Sequence, residues 1–167
     1  MTFEFRGVWV IRLAFIAGAI SGGVGCLSLF AGSAAAGTPW LLVPAIPLAA
    51  ITVWLTSLAV RSGRSGVVVR EMATDIEFAG IVSLTILHED LVDVGLARHP
   101  WWGGLGARIM PGGIVVLSAA TGEVAELTLT ERRRIWLVPF LFFARTSRLR
   151  LGVRNPQALV DRLREGR

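Results

Sequence analysis

The chain has 167 residues, 17 of them Arg and 12 Asp or Glu, with no Lys and no Tyr. Its net charge of +5 suggests nucleic acid, but most of the Arg alternate with acidic residues and no nucleic-acid module surrounds them, so we exclude that partner. Arginine beside anionic lipid is the simpler use of the charge, and a single cysteine, Cys26, excludes an intrachain disulfide and a thiolate metal site.

Residues 13–60 carry no charged side chain. Two apolar runs lie there, Leu13–Phe30 and Trp40–Val60, separated by the small-residue stretch Ala31–Pro39. At about 1.5 Å per helical residue the second run reaches about 30 Å, the thickness of a hydrocarbon core. The first matches it by borrowing from its flanks. Neither run has the polar stripe of a buried soluble helix. The expected element is a transmembrane helical hairpin over residues 1–65, with spans at about 10–34 and 39–60. A cleaved signal peptide fits less well, because the first run is long for one and a second span follows.

Arg6 and Arg12 precede the first span, Arg61 and Arg64 follow the second, and the connecting loop is uncharged. The positive-inside rule then predicts a multi-pass protein of the cell inner membrane with both termini cytoplasmic. In the first span Gly18 and Gly22 form a GxxxG, and Ser21 and Gly25 extend the small face. Such a face packs helices closely, either on the second span or on another chain. Pro44 and Pro47 are expected to kink or loosen the start of the second span. The absence of ionisable residues argues against a proton or ion path.

After Arg61–Gly66 the pattern changes to short β-type segments, expected over 67–70, 75–78, 81–87, 91–97, 107–110, 114–119, 124–130 and 148–153. Pro111–Gly113 and Ala120–Gly122 are turn signals. A helix is expected over 155–165, with Asn155 as N-cap, Pro156 at the first position and Leu159, Val160 and Leu163 facing inward. The inferred arrangement for 66–167 is six or seven antiparallel strands and one C-terminal helix, which makes the whole an α+β membrane protein.

The loop Trp102–Arg108, the hairpin Pro111–Ser118 with Thr121–Glu123, and the ending Leu149–Leu163 with its Asn155-Pro156 helix start carry a resemblance. Together with the two preceding spans they resemble the bacterial, actinobacterial-type pleckstrin-homology-like membrane proteins, over about two-thirds of the chain. The resemblance implies a PH-like, strongly bent antiparallel β-barrel or sandwich of seven strands, closed by a helix and usually without an assigned reaction. The apolar aromatic stretch at 132–147 departs from that pattern.

That stretch is the first candidate working surface. Arg132, Arg133 and Arg134 precede ten apolar residues, Ile135–Ala144, which include Trp136, Phe140, Phe142 and Phe143, and Arg145 follows. Ten residues cannot span a bilayer, and Pro139 argues against a central strand. The open readings are a buried strand bulged at the proline, a membrane-interface element with rings at headgroup level and arginines on phosphate, and a contact on another membrane protein. Trp101 and Trp102, in the turn His99–Gly104, are a second candidate for the interface or a partner, or one of them plugs the sheet end.

Catalysis finds little support. His88 and His99 have no carboxylate at ligand spacing, and there is no P-loop and no nucleophile elbow. The expectation is a non-enzymatic accessory protein with no cofactor, metal or small-molecule substrate. Its expected partners are membrane lipids and another integral membrane protein or a second copy. The alternative is a module binding anionic lipid headgroups through Arg132–Arg134 and Arg108.

Overall fold

Two long apolar helices and two β-sheets make up the fold in the computed structural model, which describes residues 1–100, 104–138 and 142–166. The first strand, β1 (Thr2–Glu4), precedes the helices. Gly7, at φ 76°, then turns the chain into α1 (Val8–Ala36), whose 29 residues extend about 43 Å. No side chain fits at this turn. A Cβ on Gly7 would stand 2.6 Å from the Ala119 carbonyl oxygen, and the left-handed backbone favours glycine in any case.

Gly37, also left-handed, ends α1, with the Thr38 N–H donating to the Ser33 carbonyl at 3.3 Å. A 3-10 turn over Pro39–Leu42 leads into α2 (Ala45–Arg61). The second span was expected from residue 39, but α-helix begins at Ala45. Pro44 sits at the N-cap and Pro47 in the first turn, where a helix leaves N–H groups unbonded, so neither proline costs an internal bond. α1, and α2 continued through the 3-10 turn Ser62–Arg64, are long and apolar enough to cross a membrane.

Strands β2 (Gly66–Val69), β3 (Ala73–Phe78) and β4 (Val82–Leu87) follow α2 and make an antiparallel sheet of order β1-β2-β3-β4. The second sheet has the order β5-β8-β9-β7-β6, from β5 (Leu91–His99), β6 (Gly106–Met110), β7 (Ile114–Ser118), β8 (Gly122–Val138) and β9 (Phe142–Leu151). Alternation places Leu127, Leu149, Leu151, Val115 and Leu117 in one core with Val67, Ile76 and Phe78 of the first sheet. Helix α3 (Pro156–Glu165) buries Leu159, Val160 and Leu163 there, and the Asn155 side chain caps it by accepting from the Ala158 N–H at 3.1 Å.

Three sequence expectations need correction. Residues 1–65 were assigned to the hairpin, yet Thr2, Phe3 and Glu4 pair with Val68, Val67 and Gly66, so the first strand belongs to the β module. Phe3 and Phe5 are buried, and Phe5 meets Phe78 edge-on at 4.8 Å. Among the described residues, 66–167 hold eight strands rather than six or seven, β1 adds a ninth, and β7 runs parallel to β9 because the β8–β9 hairpin inserts between β5 and β7. Among the described residues the two sheets do not close into a barrel. Pairing passes between them at the isolated Phe5–Val153 bridge.

Candidate functional site

The arginine-aromatic stretch forms the outer part of the β8–β9 hairpin. Up to Leu129, β8 pairs with β5 on one side and β9 on the other. Beyond an irregularity between Thr128 and Arg133 it pairs with β9 alone, matching Arg134 to Arg145, Ile135 to Ala144 and Trp136 to Phe143. A two-residue period then sorts the side chains. Ile135, Leu137 and Ala144 are buried in the cluster that holds Val82 and Ile86. Arg134, Trp136, Phe143 and Arg145 point the other way, into solvent. The stretch is therefore both core strand and exposed surface, one on each face.

The exposed face is ordered by its own contacts. Trp136 and Phe143 meet edge-to-face at 5.3 Å, and the Arg134 guanidinium lies 4.4 Å from the Phe143 ring centroid. Trp136 and Phe143 each remain 41% exposed and Phe142 54%, so the rings hold each other without being covered. Arg133 is tied back to Asp90 at 2.5 Å, and Thr130 donates to the Asp90 carbonyl, which anchors the base of the ribbon. Arg132, Arg134 and Arg145 have no carboxylate within ion-pair distance among the described residues. Phe140, Trp101 and Trp102 lie outside the described residues.

The helices supply the second surface. Gly18 faces Leu55, Gly22 faces Thr52 and Gly25 faces Leu48, so these small positions are the seam between α1 and α2. Ser21 lies off that seam and is exposed. Only Gly22 and Ser33 of α1 are buried, while Trp9, Leu13, Ile20, Val24, Leu27 and Phe30 are each more than half exposed. A helix bare of partners on its apolar side needs lipid or another apolar surface around it.

The two histidines have structural partners. His88 Nε2 meets Thr74 Oγ1 at 3.1 Å in the core, and His99 Nε2 bonds the Gly104 carbonyl at 2.8 Å. No cluster of three metal-ligating side chains occurs among the described residues. Sequence reasoning passed over one feature, a cavity of about 510 Å³ lined by Arg98, His99, Met110 and Arg150 among others. These residues come from three strands far apart in sequence, so no local motif could have announced it. Comparison with protein-family models, with curated proteins and with solved structures yields no match.

Proposed function

We propose that the protein is a non-enzymatic membrane adaptor, a PH-like β module held at the cytoplasmic face of the inner membrane by a two-helix hairpin. Its work is to bind or stabilise another integral membrane protein. One observation carries this reading. The apolar outer surface of α1 and α2 is uncovered, while β1 and β2 fasten both ends of the hairpin into a single sheet. With both ends in one sheet, a spanning hairpin has its two ends on the same side of the bilayer. The arginines flanking the helices and the uncharged connection favour the cytoplasm as that side. In the test, the tagged full chain is solubilised from native membranes and its co-purifying proteins are identified. A stoichiometric integral membrane partner supports the proposal. A monodisperse chain recovered alone, or released by carbonate washing, overturns it.

A second reading rests on the ribbon. Arg132, Arg134 and Arg145, without an ion-pair partner among the described residues, stand beside exposed Trp136, Phe142 and Phe143 and suit an anionic headgroup layer. Reconstitution into anionic and neutral nanodiscs separates the two readings. Tryptophan fluorescence that shifts only with anionic lipid, and not in an Arg132/Arg134/Arg145→Ser variant, supports the lipid reading.

A further inference from the structure

The hairpin meets the first sheet at the turn between β3 and β4. Ala79 and Gly80 are both left-handed there, at φ 53° and 68°, which reverses the chain within two residues. The Ser65 hydroxyl accepts from the Ala79 N–H at 2.8 Å, and a Cβ on Gly80 would stand 2.5 Å from the Cβ of Arg61. The turn is therefore fitted against the end of α2, with Arg61 seated over Gly80. Beside this contact lies a cavity of about 350 Å³ whose walls include Arg61, Arg64, Glu77, Ile81 and Ser83.

The polar walls share one face. Glu77 pairs with Ser83 across β3 and β4, and the residues that alternate with them, Ile76, Phe78 and Val82, are in the core. Glu77 and Ser83 therefore point outward together, and both are exposed. On its other side Glu77 faces Gly66, which has no side chain to intervene. Arg64 also lines a second cavity beside Val68, Asp75 and Thr85, cross-strand neighbours on that same outer face. Its side chain thus lies over the outer surface of the sheet, where Glu77 stands.

Charge on this face is settled in one row and left open in the next. Asp75 takes Arg70 at 2.8 Å and the Thr85 hydroxyl at 2.7 Å. Glu77, in the row beside Gly66, has no ion pair among the described residues, and neither has Arg61 or Arg64. A carboxylate and two arginines border one cavity without neutralising each other. A simple anion would meet Glu77, and a simple cation would meet the arginines. A ligand bearing both charges satisfies the whole wall, with a phosphate for the arginines and an ammonium for the carboxylate. An ammonium with N–H groups also donates to Glu77, which a quaternary one cannot.

We infer that this cavity binds a phosphodiester of a primary amino alcohol, with the phosphate on Arg64 beside Arg61 and the ammonium on Glu77. Two sources offer that chemistry, an ethanolamine lipid headgroup and a soluble ester. The lipid source rests on the hairpin proposed above. Under that reading the cavity lies at headgroup level, because Arg61 is the first charged residue after the uncharged stretch 13–60.

The test uses the full chain in detergent. In one arm it is offered phosphatidylethanolamine, phosphatidylcholine and phosphatidylglycerol in equal amounts, and retained lipid is counted by native mass spectrometry. In the other, calorimetry compares glycerophosphoethanolamine with glycerophosphocholine. The expected result is a preference of about fivefold for ethanolamine over choline, the ratio of one net hydrogen bond. Phosphatidylglycerol, which has no cation for Glu77, is also retained less than the ethanolamine lipid. Glu77→Thr removes the preference, and Arg64→Gln lowers binding of every phosphate ligand several-fold while keeping their order. Preference in the lipid arm alone assigns the headgroup, and preference in calorimetry assigns the soluble ester. No preference in either arm, phosphatidylglycerol retained above phosphatidylethanolamine, or both variants binding like wild type overturns the inference. Both positions are exposed, so both variants should melt with the wild type; if one does not, the wild-type preference and the other variant decide. Carbonate extraction reads the hairpin separately. A chain that stays in the membrane yet shows no ethanolamine preference overturns the site alone, and a chain that is released overturns the lipid source.

Discussion

Phe5→Ala is the substitution most diagnostic of this architecture. Phe5 is 4% exposed, lies edge-on to Phe78 at 4.8 Å, and forms the bridge to Val153 that links the two sheets. Burying about 200 Å² of ring at about 25 cal/mol per Å² contributes about 5 kcal/mol. Discounting by about a third for a compact unfolded chain leaves about 3 kcal/mol, the lower end of what Phe→Ala costs in cores. At about 4 °C or more per kcal/mol for a domain of this size, Tm of the full chain in detergent should fall by at least about 12 °C. Phe5→Leu, which keeps most of the apolar volume, should lose less than half as much. The assay is differential scanning calorimetry of the full chain in detergent. A Phe5→Ala chain melting within about 2 °C of wild type would show that the residues before α1 are not part of the sheet, and the same-side pairing of the hairpin ends would go with it.

The two faces of the ribbon should separate cleanly. Ile135→Ala should cost about 2–4 kcal/mol in denaturant unfolding and Trp136→Ser less than about 1 kcal/mol, since only the first opens the core. Equal costs would refute the alternation. Gly22→Leu puts side-chain atoms where Thr52 stands and should force α1 from α2 at about 1–3 kcal/mol. Cys26, whose Sγ lies 3.8 Å from the Ala45 carbonyl across the seam, should then react several-fold faster with a lipid-soluble maleimide. Unchanged labelling would place the seam elsewhere. Asn155→Ala should cost about 1 kcal/mol through loss of the α3 cap, and Asn155→Asp should restore most of it. No difference between the two would mean that the cap contributes nothing.

The parts readable in the sequence were those whose signal is local. The uncharged span announced both helices, and Asn155-Pro156 with Leu159, Val160 and Leu163 announced α3. Most strands lie within a residue or two of their expected positions because Gly-rich turns bracket them. β1 escaped notice although Phe3 and Phe5 alternate with Thr2, Glu4 and Arg6. Five residues are a weak period, and the partner strand lies beyond the whole hairpin. The ribbon stayed ambiguous for a different reason. Both of its faces are apolar at Ile135–Leu137, so composition hid an alternation that only cross-strand pairing with Phe143 and Ala144 resolves. The cavity around His99 was invisible because its walls meet only through the order of the second sheet.

The pairing of β1 with β2 also bears on how the chain is made. Thr2–Glu4 leave the ribosome before the helices, yet Gly66–Val69 become available only after all of α1 and α2 has been synthesised. The β1 segment therefore waits through more than sixty residues of translation, with Phe3 and Phe5 uncovered, before its sheet can close. If the hairpin spans a membrane as proposed, a molecule with one helix threaded instead of two would strand those rings on the wrong side, leaving an unfinished sheet edge for proteases to find. Under the proposed hairpin, closure of this seam acts as a checkpoint on insertion, carried by Phe3 and Phe5.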